Sequence, residues 1–235
     1  PRSTLFPYTT LFRSLSFVSD SVMNEFVFGS YFKHKTKVIG NPFDADKIRN
    51  LASIADIYES SDLIFLGRLT AQKNIFFFLD MVKALTRTFP NIKVAVVGDG
   101  ELREKFMAKI DELGLKKNIT IYGFQSNPYG LIKNSKVLCM PSKWEGFGLA
   151  AAEALSLGVP VVCSGVGGLK DVVDKSCGGL CGFEMKNYIA EISQIFLEEE
   201  YRHMKMENAL QKANTLSNID KYVGMIKQIY REILI

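Results

Sequence analysis

The sequence predicts an α/β fold: a doubly wound parallel sheet with helices on both faces, followed by a helical C-terminal tail. Three observations predict it. From Asp62 onward, short apolar runs alternate with longer stretches of helical periodicity. Each run stops at a turn signal, in order Gly67, Gly98, Gly123 and Pro141. Residues 187–235 then keep a helical pattern, with Ile189, Ile192, Ile195 and Phe196 on one apolar face and Tyr222, Met225, Ile226 and Ile229 on another.

The elements follow in order. Residues 1–14 repeat Thr4-Leu5-Phe6 as Thr10-Leu11-Phe12 and show no clean period. They read as a non-native, vector-like or disordered segment, with a loop from an upstream domain as the alternative. Residues 15–35 read as the tail of an N-terminal domain, with a strand over 15–19 and a helix over 20–28. Residues 36–235 read as the main domain. It opens with a strand over 36–39 and the turn Gly40-Asn41-Pro42, then a polar, partly helical stretch over 44–56.

Strands are predicted at 63–66, 92–97, 119–122, 137–140 and 159–163, with a short last one at 178–181. Helices are predicted at 75–89, 101–113, 129–134 and from the Gly146-Phe147-Gly148 start to Leu157, where Gly158 ends the helix. Right-handed crossovers between such parallel strands give a Rossmann-like arrangement.

Composition sets limits on function. With 235 residues, 47% of them hydrophobic and 23% charged, the chain can bury a sizeable core. The excess of four positive charges suits an acidic small ligand or a membrane face and selects neither. No apolar run approaches the ~20 residues that span a bilayer. A cytoplasmic protein is expected, with the inner membrane face as a second place for it and no nucleic-acid partner. Of the four cysteines, Cys139 and Cys163 fall in predicted strands, and Cys177 and Cys181 match no common zinc spacing. No metal site is expected.

Ligands of open α/β sheets sit at the carboxyl ends of the strands, and the chemically capable residues fall there. Arg68 and Lys73 follow the 63–66 strand. A guanidinium fork and a point-charge ammonium suit a diphosphate, although either could be a solvated surface cation. The Gly-Phe-Gly start leaves helical N–H groups open to an anion. Glu145 precedes that helix, where a carboxylate also suits the dipole. Glu153 lies about 8–10 Å further along an apolar helix, so it needs a partner. Trp144, the single tryptophan, and Phe147 could stack on a sugar or base or pack in the core.

In combination and order, the segments NPFDADKI, FLGRLTAQKN, VVGDGELREKF, YGFQSN and PSKWEGFGLAAAEALSLGVPVVCSGVGGLKDVV resemble the C-terminal, nucleotide-sugar-binding half of retaining GT-B glycosyltransferases of the group 1 type. The resemblance covers roughly residues 15–235 and includes a pair of glutamates with seven residues between them, Glu145 and Glu153. It implies that Arg68 and Lys73 bind the donor diphosphate and aid its departure, and that Glu153 hydrogen-bonds the ribose. Glu145 and Gly146 would lie at the transferred sugar, with the N–H groups of Phe147, Gly148 and Leu149 around sugar and phosphates. Phe124 would lie along the base. The donor would be a nucleotide diphosphate sugar, UDP-linked on family frequency, and the acceptor a glycan or lipid-linked glycan of polysaccharide biosynthesis. The family needs no metal or other cofactor for transfer. Its enzymes carry an N-terminal acceptor domain that lines the other wall of the cleft, so the isolated chain is expected to bind donor without turning it over.

Two other readings compete. One is a non-catalytic nucleotide-sugar-binding module. The other, a nicotinamide-dependent Rossmann oxidoreductase, fares badly, because the Gly98, Gly100 turn lacks the third glycine of the dinucleotide fingerprint and follows a middle strand.

Overall fold

The computed structural model describes residues 15–26, 36–56 and 58–234. The expectations for residues 1–14, and those that fall on residues 27–35, lie outside the described residues. A small two-stranded parallel sheet pairs β1 (Leu15–Phe17) with β2 (Thr36–Val38), and α1 (Asp20–Glu25) follows β1. Ser19 caps α1 by accepting from the Val22 N–H, and its hydroxyl donates to Gly146 O at 3.0 Å. The segment that precedes the main sheet is therefore fastened to the glycine loop read as the sugar seat.

The main sheet has six parallel strands in the order β5-β4-β3-β6-β7-β8. They are β3 (Ser61–Leu66), β4 (Val94–Val97), β5 (Ile119–Gly123), β6 (Ser135–Met140), β7 (Val161–Cys163) and β8 (Gly178–Leu180). Strand alternation divides the core in two. Ile64, Ala95, Leu138 and Cys163 point into one cluster, and Leu63, Phe65, Val94, Val96, Val137 and Cys139 into the other. Cys177 belongs to the first cluster and Cys181 to the second, so the sheet separates the two cysteines that sequence spacing brings near.

The first face is covered by α2 (Ala45–Ser53), α5 (Tyr129–Lys133), α6 (Leu149–Ser156) and α9 (Glu199–Leu216). The second is covered by α3 (Ile75–Leu85), α4 (Arg103–Glu112) and α8 (Met185–Leu197). A short α7 (Leu169–Val172) follows β7, and α10 (Ile219–Leu234) ends the chain. The tail thus breaks into three helices. No described helix is long and apolar enough to cross a membrane.

The predicted elements recur with ends shifted by a few residues, and the largest trim is at α3, which stops at Leu85 rather than Phe89. Helix α6 corrects its predicted start. It begins at Leu149, with Gly148 as a left-handed cap (φ 92°), and ends where Gly158 turns left-handed and Val159 N–H reaches back to Ala154 O. Nor is α6 buried all round, because Leu149 is 45% exposed.

Chain order reverses at β3. The chain runs outward through β4 and β5, returns to the other side of β3 as β6, and continues outward through β7 and β8. The crevice outside the carboxyl ends of β3 and β6 is the switch point where such sheets bind ligands.

Candidate active site

Two loops meet at this switch point. The β3–α3 loop carries Arg68 and Lys73, and the β6–α6 loop carries Ser142 through Gly148. Backbone and side-chain bonds lace them together: Lys143 N–H donates to Gln72 O at 2.8 Å, and Gln72 Nε2 donates to Trp144 O at 3.0 Å. Two further loops press in through glycines. A Cβ at Gly98 would fall 2.0 Å from Gly67 O, and one at Gly167 would fall 2.0 Å from Glu145 O. Both glycines also have positive φ, 133° and 50°. The glycine richness of the rim is therefore an assembly requirement, since no side chain fits where these loops cross.

The Lys73 ammonium bonds Glu145 Oε1 directly. Ser142 Oγ donates to the same oxygen at 2.7 Å, and Ser164 Oγ steadies Ser142 by donating to its carbonyl at 2.6 Å. The Lys73 and Glu145 side chains are only 15% and 9% exposed. Lys73 is thus no free surface cation, and its partner is the carboxylate expected at the transferred sugar. Asn74, the residue after Lys73, is in left-handed conformation (φ 54°) and caps α3 through its backbone alone. That turn directs the chain from Lys73 into the helix.

Arg68, in the same β3–α3 loop as Lys73, is exposed. Asp99, in the turn after β4, is paired with Arg103 at 3.2 Å, which adds a cation that motif reading did not single out. The two aromatics of the glycine loop separate. Trp144 is 62% exposed, which excludes the core role, whereas Phe147 is half-buried against the first core cluster. Phe124, at the exit of β5, is 77% exposed. No side chain caps α6, and its first turn faces the same rim.

Glu153 lies one turn into α6, half-buried, and accepts a hydrogen bond from the Tyr129 hydroxyl at 3.2 Å. Burial raises its pKa above the usual carboxylate value, and the Tyr129 bond opposes that rise. Burial, and then the Glu153 charge, push the Tyr129 phenol up to about 12, so it remains a donor at neutral pH. The partner that an acid on an apolar helix requires is a phenol.

The rim therefore gathers Arg68, Lys73, Glu145, Glu153, the Gly146–Leu149 backbone and two exposed aromatics. Sequence reading missed Tyr129, Ser142, Gln72 and Arg103. Ser142, three residues before Glu145, is the one whose spacing carried a signal. A cavity of about 460 Å³ lies at the opposite, amino ends of the strands, lined by Ser61, Asn91, Lys133 and Ser135 among others. It contains none of these groups, and chemistry rather than concavity marks the carboxyl rim.

Comparison with known proteins shows the family and the fold. The family glycosyl transferases group 1 matches residues 46–212, more than half of the chain. An uncharacterized glycosyltransferase of Methanocaldococcus jannaschii is 36% identical over 149 residues, covering 59% of this chain and 37% of its own length. The UDP-Gal:alpha-D-GlcNAc-diphosphoundecaprenol alpha-1,3-galactosyltransferase of Escherichia coli is 28% identical over 215 residues, 86% of this chain and 55% of the relative.

Among solved structures, Anabaena HepE in complex with UDP and glucose superposes with a TM-score of 0.80 at 20% identity, over 93% of this chain and 63% of that one. This likeness shows the fold. The chain spans between about a third and just over half of the length of these two curated relatives. The chain belongs to the glycosyl transferases group 1 family.

Proposed function

We propose that this chain is the donor-binding part of a glycosyltransferase. It holds a nucleotide diphosphate sugar, UDP-linked, and presents the sugar for transfer with retention to a glycan or lipid-linked acceptor. The observation that carries this reading is the Lys73–Glu145 pair at the topological switch point, with Arg68 exposed in the same loop as Lys73. A diphosphate seated at the start of α6 meets helical N–H groups and two cations. As the bond to the sugar breaks, negative charge grows on the departing diphosphate, and Arg68 and Lys73 stabilise it there.

Among the described residues Glu145 accepts from Lys73 and Ser142 through Oε1, so Oε2 is left for sugar hydroxyls. Glu153 takes the ribose, and Phe124 lies along the base. Arg68 and Lys73 supply the charge neutralisation themselves, with no metal in the scheme. The crystal complex of Anabaena HepE with UDP and the UDP-galactosyl transfer named for the E. coli relative support a uridine donor. The six-stranded sheet supplies one wall of a cleft, and an acceptor domain supplies the other. The isolated chain accordingly binds donor without transferring the sugar.

Calorimetric titration with UDP, GDP and ADP, then with their sugars, tests the reading. UDP and UDP-sugars are expected to bind best, with no sugar released or transferred. Binding of NADH in preference to every nucleotide sugar would overturn the assignment.

A further inference from the structure

The amino ends of the strands carry a second collection of charge, and the donor seat uses none of it. The cavity of about 460 Å³ there is bounded by the starts of β3 and β6, the turn before β4, the end of α5 and the first turns of α9. Lys93, Lys133, Lys136, Arg202 and His203 line it, and Asp62 is the one carboxylate in its lining. That carboxylate is already occupied. Lys136 pairs with Oδ1 at 2.8 Å, and the Lys93 N–H donates to Oδ2 at 2.9 Å. Ser135, the buried polar residue of the lining, donates to Leu131 O at 2.7 Å, so the Ser61 hydroxyl, 2.7 Å away, donates to Ser135. The acid and the two hydroxyls are thus committed to protein.

Most of the cations are not. The Arg202 side chain is only 19% exposed, yet its contacts are long, 3.3 Å to Ile195 O and 3.7 Å to the exposed Glu199. Lys93 is 3.6 Å from Glu59, which is exposed and outside the lining. The Lys133 and His203 side chains form no hydrogen bond or ion pair among the described residues. Lysines 93, 133 and 136 and Arg202 therefore face one neutralised acid, and a concave wall concentrates their field on whatever enters. A guanidinium fork among ammonium groups is a donor set for phosphate. Beside it, the side chains of Ser60, Asn91 and Asn134 also lack a partner among the described residues and can exchange hydrogen bonds with hydroxyl groups. No aromatic ring lines the cavity, so a nucleobase finds no stacking platform, and the volume is that of a small-molecule site. We propose that this cavity is a second anion site, which takes the phosphate monoester of a small hydroxylated molecule. Arg202 and Lys133 hold the phosphate, and Asn91 and Asn134 meet the hydroxyl groups. The donor seat is at the other end of the same strands, roughly 20 Å away along the six residues of β3.

The test titrates glucose 1-phosphate, orthophosphate and glucose into the full chain with UDP in excess, so that the donor seat is filled. The chain has two histidines, and the His203 Cε1–H proton resonance, assigned with His203→Asn, reports on the cavity. Glucose 1-phosphate should move that resonance saturably and bind at least about threefold tighter than orthophosphate, and glucose should leave it in place. Lys133→Gln and Arg202→Gln should each weaken glucose 1-phosphate about 3- to 10-fold, whereas Lys73→Met, at the donor seat, should not change it. Arg202 also touches the backbone of α8, but the Lys133 side chain has no such contact, so its variant reads binding apart from folding. The proposal is overturned if glucose 1-phosphate leaves His203 unmoved, if orthophosphate binds as tightly, or if both cavity variants bind as the wild type does. Vesicles containing phosphatidylglycerol form a further arm. Retention of the chain on them, without a response to glucose 1-phosphate, would give the cavity to a lipid headgroup and overturn the proposal as well. A chain that failed to bind UDP would sink the donor reading alone, since the cavity is titrated in the same way without it.

Discussion

Of the lysine–glutamate pairs among the described residues, Lys73–Glu145 and Lys205–Glu191 are the two with both side chains largely buried, and they differ in what else each lysine touches. Lys205 of α9, 2% exposed, is 3.1 Å from Glu191 and donates to Lys175 O at 2.6 Å and Gly178 O at 2.9 Å, with the Tyr201 ring 4.7 Å away. Its three donors are spent on the scaffold, and they clamp the edge strand β8 to α8 and α9. Burial pulls its pKa down, but Tyr201 and Glu191 outweigh it and hold the ammonium above the usual lysine value. Among the described residues Lys73 has one acceptor, Glu145, and it sits at the switch point beside a helix start with no side-chain cap. A lysine with every donor satisfied by protein is assigned to the scaffold, and one with donors to spare at a ligand crevice is the one we propose as a binding group.

Lys205→Met takes the ammonium from Glu191, which keeps the Tyr201 hydroxyl, and from two carbonyls, so unfolding in urea should show a loss of about 3–5 kcal/mol. A loss no larger than that of Lys73→Met would erase the distinction between the pairs.

A smaller effect is expected at the loop that carries Glu145. Gly167→Ala places a Cβ against Glu145 O at positive φ, and it should cost more than about 1 kcal/mol in the same measurement while also weakening UDP. Normal UDP affinity in that variant would show that the loop crossing does not position the site.

Trp144→Ala should move stability by less than about 0.5 kcal/mol, because the ring is mostly in solvent. A large destabilisation would return Trp144 to the core.

The smallest expected effect concerns Glu153 and pH. Its folded pKa is raised, so its ionisation disfavours the folded state above that pKa, and stability recovers as pH falls through it. Glu153→Gln should therefore be slightly more stable than wild type at neutral pH, and the gap should close at acidic pH, below the unfolded carboxylate pKa. A gap of the opposite sign at neutral pH would mean that the Tyr129 bond outweighs burial.

Much of this architecture was legible in the residues. Strand positions followed from apolar runs, because a strand buried on both faces has no polar side to hide, and the rim followed from where those runs stop. Arg68, Lys73, Glu145 and Glu153 were legible as site candidates because charge at a strand exit or on an apolar helix needs a reason. What could not be read was partnership. That Lys73 turns onto Glu145 depends on the left-handed Asn74 and on two loops 72 residues apart in the chain meeting. That Glu153 meets Tyr129 depends on how α5 lies across α6. Exposure was ambiguous for the same reason, since Trp144 and Phe147 sit three residues apart and only tertiary packing decides which one faces the core.

The central claim is that Lys73 binds the diphosphate, and it is tested most directly by titrating UDP and uridine into the wild type and Lys73→Met. The donor-seat reading predicts that the variant loses about 1–3 kcal/mol of UDP binding and leaves uridine, which carries no phosphate, unchanged. Equal losses on both ligands, or none on either, would contradict it.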